Sequence, residues 1–442
     1  MEKDCYQEII EEVSKKLSDK ITSEEKGLGR RATLIDRDIG DIVQDIGLKT
    51  TKLVLENTRD QIAQKKKKEG LVIHRNPTIE FNTVFGKLEI SSPYLWRPGI
   101  DSSKPLIDEM KICHCGRSEA VNRALSDFGI EESFSSAADR FKEHYHYEIG
   151  PSAAARSTKN TALQAMDYIE NKLSDIDSDQ AQGNTSLKKM LVELDGCELR
   201  TAQLVPVEDS TETTPVYNNP KKAKIIKWRD VRLGFVRPLD SKSKTFVGKM
   251  DSYEDVVSQM HSAAVLTGMT PETKIIGVAD GGIGLSEELK RQFPSMQFIL
   301  DKSHLRDHLY ETAEALGINQ KDRRGWVEPR VRAISDGNVE AVLKELEEEN
   351  DKNPNKRLKR LIGYIKRFYD ALDYDNFKSK GYPIGSGEIE SAHKSIPQKR
   401  MKIPGASWRA DSIDPMLSLR ILRADDWWED FWNRRAEKLM AA

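Results

Sequence analysis

The sequence has few cysteines and no long hydrophobic run. Its four cysteines, at positions 5, 113, 115 and 197, are too few and too irregularly spaced for a disulfide framework in 442 residues. No run approaches the ~18 apolar residues of a membrane-spanning helix, and the charged amino terminus resembles neither a signal peptide nor a transit peptide. We therefore expect a cytoplasmic protein with reduced thiols.

Several catalytic signatures are also absent. The sequence contains no phosphate-binding P-loop, which excludes the usual ATP-driven remodelling enzymes. His304 and His308 are four residues apart, but no glutamate follows the first histidine as a zinc hydrolase requires. Asp307 stands where the His-x-x-Arg element of a tyrosine recombinase would place its arginine.

The net charge is close to zero, with 70 basic and 72 acidic residues. This balance argues neither for nor against nucleic acid as a partner. The distribution is uneven, because lysines form a run over 65–68 and basic residues are enriched over 394–423. Such runs are also typical of an ordinary solvated face.

The amino-terminal region combines helical and strand patterns. Apolar residues recur at helical spacing over 35–65, and residues 78–96 are rich in β-branched and aromatic side chains around Gly86. We predict a long helix followed by a β-ribbon. The next element, Cys113-His114-Cys115, lacks the Cys-x-x-Cys pairs of common structural zinc sites, so zinc binding stays open there.

Residues 118–175 have the pattern of three helices. Helical segments over 118–128 and 132–147 precede Gly150-Pro151, which opens a third segment carrying Arg156, Lys159 and Asn160. Such side chains contact phosphates and base edges when a helix-turn-helix enters a major groove. Plain packing of a small helical domain is the alternative. The polar stretch 175–186 is predicted to be a linker.

Three apolar, strand-like segments each end in an aspartate. The segments over 190–195, 274–280 and 297–301 end in Asp195, Asp280 and Asp301. Functional side chains gather at strand ends in α/β sheets, where neighbouring acids reach one site. Each aspartate alone also has a local explanation, because Asp-Gly is a turn dipeptide and Asp301 could cap the following helix.

A Gly-Ser-Gly sequence before another predicted helix introduces two further acids. Ser386 is a candidate N-cap, which places Glu388 where the helix dipole alone would favour an acid. Glu390 has no such local explanation. Residues two apart do not share a helix face, so Glu388 and Glu390 cannot both point into one site.

Taken in order, these motifs resemble the insertion-sequence transposases of the ISKra type, which carry a DDE triad on an RNase H-like fold. The resemblance covers roughly residues 187–423. It rests on Val-Glu-Leu-Asp195-Gly, Val-Ala-Asp280-Gly-Gly, Ile-Leu-Asp301-Lys-Ser-His304, Ile-Gly-Ser-Gly-Glu-Ile-Glu390-Ser and Lys399-Arg400-Met401-Lys402 followed by Trp408. It implies that Asp195, Asp280 and Glu390 are the catalytic residues and metal ligands, with Asp301 and His304 supporting the site.

The resemblance also implies an α/β architecture. We expect an RNase H-like mixed five-stranded sheet with helices on both faces and an all-helical insertion, preceded by the β-ribbon and the helix-turn-helix-like region. The interval between Asp280 and Glu390 is too long for one strand and one helix, which favours the insertion. The predicted segments are an amino-terminal helical region (1–75), the β-ribbon (76–116), the helix-turn-helix-like domain (117–175), the first part of the catalytic core (187–304), the insertion (305–383) and the completion of the core with carboxy-terminal helices (384–442).

The implied activity is transposition of an insertion sequence. Two Mg²⁺ or Mn²⁺ ions per site would serve phosphodiester cleavage and strand transfer, because hard cations prefer carboxylate ligands. The expected partner is double-stranded DNA, both terminal inverted repeats and target, held by a homodimer or higher oligomer in a prokaryotic cytoplasm at the nucleoid. The predicted DNA contacts are Arg156, Lys159, Asn160, Lys394, Lys399, Arg400, Lys402 and Trp408.

Two other functions remain open at this point. One is a retired transposase that binds DNA without cutting it, and the other is a structure-selective RNase H-like nuclease. Trp427, Trp428 and Trp432 could stack on bases, although on a helix they would also suit a core or a dimer face.

Overall fold

The structure, a computed structural model, describes residues 2–22, 28–174, 187–206, 214–216, 219–250 and 252–441. The linker predicted at 175–186 lies outside these residues. The chain divides into two compact units, residues 1–158 and 159–442, and each is described by itself. The finer division into six segments stays a prediction.

The first unit combines two long helices, two small sheets and a group of shorter helices. Its elements are α1 (Glu2–Thr22), α2 (Leu28–Lys68), β1 (Val72–Arg75), β2 (Thr78–Thr83), β3 (Gly86–Ser91), β4 (Tyr94–Arg97), β5 (Ile100–Ser103), α3 (Pro105–Asp108), β6 (Gly116–Arg117), α4 (Glu119–Glu131), α5 (Phe134–Tyr145) and the start of α6 (Pro151–Ser174).

The predicted β-ribbon forms parts of two sheets rather than one. Strands β2 and β3 make an antiparallel hairpin that turns at Gly86, whose φ of 136° suits glycine. Pro93 follows this hairpin, and β4 then pairs with β1 and β5 in a separate sheet. Proline has no N–H to donate to a continuing strand ladder, which explains the change of sheet.

The helices predicted between 118 and 160 are confirmed as α4, α5 and the start of α6. Ser118 and Ser133 cap α4 and α5 by accepting the N–H groups of Val121 and Ser136. Buried residues of the three helical segments and of the loop before α6 share one cluster: Val121, Ala124, Leu125, Phe141, Ile149 and Ala154. Packing thus accounts for this region, and its reading as a helix-turn-helix stays a prediction.

The Cys113-His114-Cys115 element lies at the edge of the β2 hairpin. Both cysteines are exposed free thiols, and His114 Nδ1 accepts the N–H of Glu80 at 3.2 Å. Within the described ranges these three residues do not form a close group of metal ligands.

The second unit is built on a mixed sheet. Its strands are β7 (Lys189–Pro206), β8 (Thr214–Val216), β9 (Asn219–Pro238), β10 (Thr245–Met250), β11 (Lys274–Ala279) and β12 (Gln297–Leu300). The spatial order is β10-β9-β7-β11-β12, with β8 paired to β9. Strands β10, β9 and β7 are antiparallel neighbours, whereas β7, β11 and β12 run parallel. The prediction of a mixed α/β sheet with five principal strands is confirmed at this level.

Strand β7 does not end at Asp195 as predicted. It continues to Pro206, paired throughout with β9, which begins at Asn219 and not near Trp228. Asp195-Gly196 is therefore part of a strand and not a turn.

Helices cover both faces of the sheet. The helices after β10 are α7 (Tyr253–Leu266), α8 (Leu285–Gln292), α9 (Lys302–Ala315), α10 (Gln320–Ser335), α11 (Val339–Lys352), α12 (Lys356–Arg367), α13 (Tyr374–Ser379), α14 (Gly387–His393), α15 (Lys399–Met401), α16 (Ile413–Ala424) and α17 (Trp428–Ala441). A Cβ at Gly234 would lie 2.5 Å from Met260 of α7, and one at Gly248 would lie 2.9 Å from Leu417 of α16. Side chains alternate between faces along a strand pair, which assigns α7 and α16 to opposite faces.

Between β12 and α14 the described chain is helical, as predicted for the insertion. Residues 302–379 form α9 to α13 with one 3₁₀ turn at Tyr369–Ala371. At the end of the chain, Trp428 and Trp432 are buried at 4% and 5% exposure, which places them in the interior and not on a base-stacking surface. Among the described helices, none is both long and apolar enough to cross a membrane.

Candidate active site

Three aspartates lie level with one another just beyond the point where the parallel pairing of β7, β11 and β12 stops. Glu193 of β7 is paired with Val278 of β11, so Asp195 and Asp280 both follow their paired residues by two positions. On the other side, the N–H of Asp301 donates to the Ala279 carbonyl at 2.9 Å. Adjacent strands are about 4.8 Å apart. The strand register therefore brings the three predicted aspartates to one edge of the parallel part of the sheet.

Helix α14 is attached to β7 at the same edge. One carboxylate oxygen of the fully buried Glu193 accepts the N–H of Ile389 at 3.0 Å. Ile389 precedes Glu390, and Glu193 lies two residues before Asp195 on the same strand face. This hydrogen bond holds the helix that bears Glu390 against the strand that bears Asp195.

Glu390 is close to Asp301 and His304. One ligand atom from each of these three residues lies within 4.8 Å of the other two. In the described part of the chain, no group this close joins Glu390 to Asp195 and Asp280. Carboxylates repel one another, and two metal ions ~3.5–4 Å apart would separate their ligands further.

The carboxylate of Asp301 is already occupied by hydrogen bonds. One oxygen accepts the N–H groups of Ser303 and His304, which caps α9. The other accepts the N–H of Ser386 at 2.6 Å and the Ser386 hydroxyl. The predicted capping role is therefore present in the geometry, and Asp301 also ties the start of α9 to the start of α14. Its supporting role in the site stays a prediction.

Asp195 lies in a partly enclosed environment beside a histidine. Burial raises the pKa of Asp195, and Asp280 adds to the increase, while His393 and the N–H of Gly196 oppose it. The nearest approach to His393 is 3.9 Å, between Nε2 and Oδ2. A bound cation would compensate the cost of keeping this carboxylate charged.

His393 is itself buried, and neither ring nitrogen makes a well-formed hydrogen bond within the described residues, although the backbone of Asp195 lies close to the ring. Burial lowers its pKa, which favours a neutral imidazole, whereas Asp195 acts in the opposite sense. An unpaired polar ring in a protein interior is uncommon and costs free energy. Its place beside Asp195 makes it a member of the site.

The two glutamates of α14 have different surroundings. Glu388 receives hydrogen bonds from Arg237 Nη2 at 2.6 Å and Nε at 3.2 Å, and an ion pair from Lys244 at 2.7 Å. Burial acts to raise the pKa of Glu388, but these two cations outweigh it and lower that pKa. No comparable bond to the Glu390 carboxylate is formed by the residues described.

Burial raises the pKa of Glu193 to about 8, although the N–H of Ile389 opposes the increase. Its second carboxylate oxygen is buried and has no partner among the described residues. A protonated Glu193 would carry no unpaired buried charge beneath α14.

Of the basic residues predicted to contact DNA after Glu390, three lie at the surface. Lys394, Lys399 and Lys402 are exposed. Arg400 is only 3% exposed, and its guanidinium lies over the Trp408 ring at 4.9 Å from the ring centroid.

Trp408 has a structural role in the sheet. Its N–H donates to Arg200 and its carbonyl accepts from Ala202, while the indole N–H donates to Met401. Arg400 and Trp408 are thus packed against each other in this conformation and do not form a free surface for DNA.

The three residues predicted on α6 differ in exposure. Arg156 and Asn160 are exposed and four residues apart, which places them on one helix face. Lys159 is partly buried and lies 3.8 Å from Asp411.

Sequence reasoning missed Glu193 and His393. A signal was available for each, because Glu193 is two residues before Asp195 on a strand and His393 is three residues after Glu390 on a helix. Residues two apart lie on the same face of a strand, and residues three apart lie on the same face of a helix.

The sequence matches no protein-family model and no curated protein. Among solved structures, it is similar to a chain of the Drosophila P element transposase strand transfer complex. The two chains are 10% identical, with a TM-score of 0.26 over 76% of this chain and 84% of that one. A likeness this weak defines neither the fold nor the activity of this chain.

Proposed function

We propose that the protein is a DDE transposase of the ISKra type that binds the ends of an insertion sequence and catalyses DNA cleavage and strand transfer. The strand order supports an RNase H-like catalytic domain. If the five principal strands are numbered along the chain, their spatial order is 3-2-1-4-5, with the first three antiparallel and the last two parallel to strand 1.

The observation that carries the proposal is the convergence of acids at one sheet edge. Asp195 and Asp280 are level on neighbouring parallel strands, and the helix bearing Glu390 is bonded to β7 through Glu193 and to the β12–α9 junction through Asp301. Local turn or cap chemistry would explain one such acid. It does not explain why residues so distant in sequence meet.

The available donors fit hard divalent cations. Asp195, Asp280 and Glu390 offer carboxylate oxygens, which suit Mg²⁺ and Mn²⁺. Asp301 fits less well, since both its oxygens already accept hydrogen bonds. His304 offers a nitrogen, which suits softer metals. We therefore assign the metal ions to the first three residues and positioning to Asp301 and His304.

The chemistry of the site follows from these assignments. Two bound ions would supply an activated water and would stabilise charge on the leaving oxygen of a phosphodiester. The protein itself orients the ligands: Asp301 holds the start of α14, and Arg237 with Lys244 neutralises Glu388 so that Glu390 alone remains uncompensated on that helix.

The proposed partner is double-stranded DNA, comprising terminal inverted repeats and a target. Exposed Lys394, Lys399 and Lys402 follow the Glu390 helix and would contact backbone phosphates, which position DNA without reading its sequence. Holding two DNA ends requires at least a homodimer. A cytoplasmic, nucleoid-associated location stays a prediction.

The proposal is tested by incubating purified protein with supercoiled plasmid and Mg²⁺, Mn²⁺ or EDTA. We expect metal-dependent cleavage by the wild type and none by Asp195→Asn, which keeps the shape of the side chain and removes its charge. Cleavage that survives Asp195→Asn would contradict the assigned ligand set. DNA binding without cleavage, once cognate ends are supplied, would indicate a retired transposase.

A further inference from the structure

The β7–β9 pair extends well beyond the parts that β10 and β11 flank, and the short strand β8 joins it near its far end. Strand β11 pairs with β7 only as far as residue 193, and β10 pairs with β9 only from residue 231 onward. Residues 198–206 and 222–230 continue to pair with each other. We call these two segments the ribbon.

A basic groove lies along the ribbon and is lined from both of its faces, because Lys222 pairs with Pro206 and is one position out of phase with the Thr201–Lys227 pair. The directly opposed pairs Thr201–Lys227 and Gln203–Ile225 line a groove of about 530 Å³ that also includes Lys222, Arg229 and Arg409. Opposed residues of an antiparallel pair point to the same face. The acidic residue among those that line this groove is Asp411, whose carboxylate accepts a hydrogen bond from Arg409 Nη2 at 2.8 Å. The groove therefore carries a clear excess of positive charge.

Thr201 and Gln203, which line the groove, are on the same face of β7 as Asp195 of the proposed active site. Thr201 follows Asp195 by six residues, an even interval, which corresponds to about 20 Å along a strand. Residues 401–408 run beside β7, since the Trp408 backbone pairs with Arg200 and Ala202 and its indole N–H donates to the Met401 carbonyl. Exposed Lys402 follows Met401 in this segment.

The segment that closes the groove is fixed to the ribbon through its backbone. Trp408 joins the edge of β7 through hydrogen bonds with Arg200 and Ala202, at 3.0 and 2.8 Å. Arg409, whose side chain is 77% exposed, follows directly. Its position relative to Lys227 is therefore set by strand pairing and not by a loose loop.

We propose that this groove binds the backbone of duplex DNA at a distance of about 20 Å from the cleaved phosphate. The inference rests on the proposed function and adds a contact surface to it. Duplex DNA rises about 3.4 Å per base pair, so the groove would hold phosphates roughly six base pairs from the reacting one. Lys222, Lys227 and Arg409 would make sequence-independent contacts there.

The experiment measures salt-dependent binding of a fluorescein-labelled 40-base-pair duplex of arbitrary sequence by the full chain. The test variant combines Lys222→Gln, Lys227→Gln and Arg409→Gln. The matched control combines Lys222→Arg, Lys227→Arg and Arg409→Lys, which keeps the charge at every position. Thermal unfolding of both variants checks that the fold is retained.

Each phosphate contact contributes about −0.9 to the slope of log affinity against log salt concentration. We expect the neutral variant to have a slope less negative by up to about 2.7 and the charge-retaining control to have the wild-type slope. A neutral variant with an unchanged slope would overturn the groove proposal, as would a loss seen only with a single-stranded 40-mer. A wild type that neither binds the duplex nor cleaves plasmid would overturn the proposed function itself.

Discussion

Glu388→Gln provides a sharp test of the difference between the two glutamates of α14. Arg237 is largely buried, and its Nη1 already donates to the carbonyls of Pro238, Leu239 and Ser241 at 2.8–3.0 Å. Its positive charge is balanced by Glu388, which also pairs with Lys244. Glutamine keeps the shape of the side chain but leaves the buried guanidinium without a counter-charge.

The cost can be worked out from these contacts. A hydrogen bond between charged groups contributes about 1.5–3 kcal/mol. The Glu388 side chain is 36% exposed, so solvent screening reduces that contribution. We expect Glu388→Gln to lower the free energy of unfolding by about 1.5 kcal/mol, which corresponds to a decrease in Tm of about 3 °C for a unit of this size.

Glu390→Gln is the matched control, because it makes the same chemical change two residues away without removing an ion pair. We expect its Tm to stay within about 1 °C of the wild type, as for a surface substitution. Differential scanning calorimetry measures both variants. Equal shifts for the two variants would contradict the assignment of Glu388 to structure.

The pH dependence of the Glu388→Gln effect has a defined sign. The folded pKa of Glu388 lies below that of an unfolded glutamate, about 4.3. The stabilisation by its charge is therefore fully present above that value and is lost as pH falls through the folded pKa. The Tm difference between wild type and Glu388→Gln should be constant near pH 7 and should shrink on acidification below pH ~4. A difference that grows on acidification would contradict this account.

Three further predictions concern packing, positioning and thiol reactivity. Gly281→Ala should lower the free energy of unfolding by about 1–3 kcal/mol, because the new Cβ would lie 2.2 Å from the Tyr364 ring. Gly325→Ala on helix α10 should raise it by about 0.5–1 kcal/mol, because nothing lies within 4 Å of its Cβ position. Calorimetry that ranks the two variants the other way would refute this. Ser386→Ala should cost about 1.5 kcal/mol and slow plasmid cleavage because it removes the hydroxyl hydrogen bond to Asp301, and Ser386→Thr should restore both. Unchanged cleavage in Ser386→Ala would show that this hydroxyl bond does not help to position α14. Iodoacetamide labelling at pH 8, mapped by mass spectrometry, should modify exposed Cys113 and Cys115 at least about tenfold faster than Cys197. The reason is that burial raises the pKa of Cys197 to about 11. Equal labelling rates would contradict that burial.

The parts of the fold that could be predicted are those with a buried face. Strands β11 and β12 are short runs of buried apolar residues, and each ends at the aspartate that the sequence indicates. The ribbon could not be predicted, because Arg200, Gln203, Lys222 and Lys227 line strands without a repeating apolar face. Its pairing depends on residues far apart in sequence, which a local pattern does not show.

The sequence predicts which acids belong to the candidate site, but not which residues pair with those acids. Periodicity located Asp195, Asp280 and Asp301 on or after apolar strands, but the pairing of Glu388 with Arg237 joins residues 151 positions apart. Arg400 has the composition of a surface cation, yet it packs on Trp408 in the interior. A buried arginine is stabilised by an aromatic ring that only the tertiary structure places beside it, so the local sequence does not reveal the burial.

The central claim is that Glu390, and not Glu388, completes an acidic site with Asp195 and Asp280. The most direct measurement is DNA cleavage by wild type, Glu390→Gln and Glu388→Gln in Mg²⁺, with EDTA as the blank, at a temperature where all three are folded. The account predicts that cleavage requires the metal, is lost in Glu390→Gln and persists in Glu388→Gln. Cleavage that persists in Glu390→Gln would contradict it.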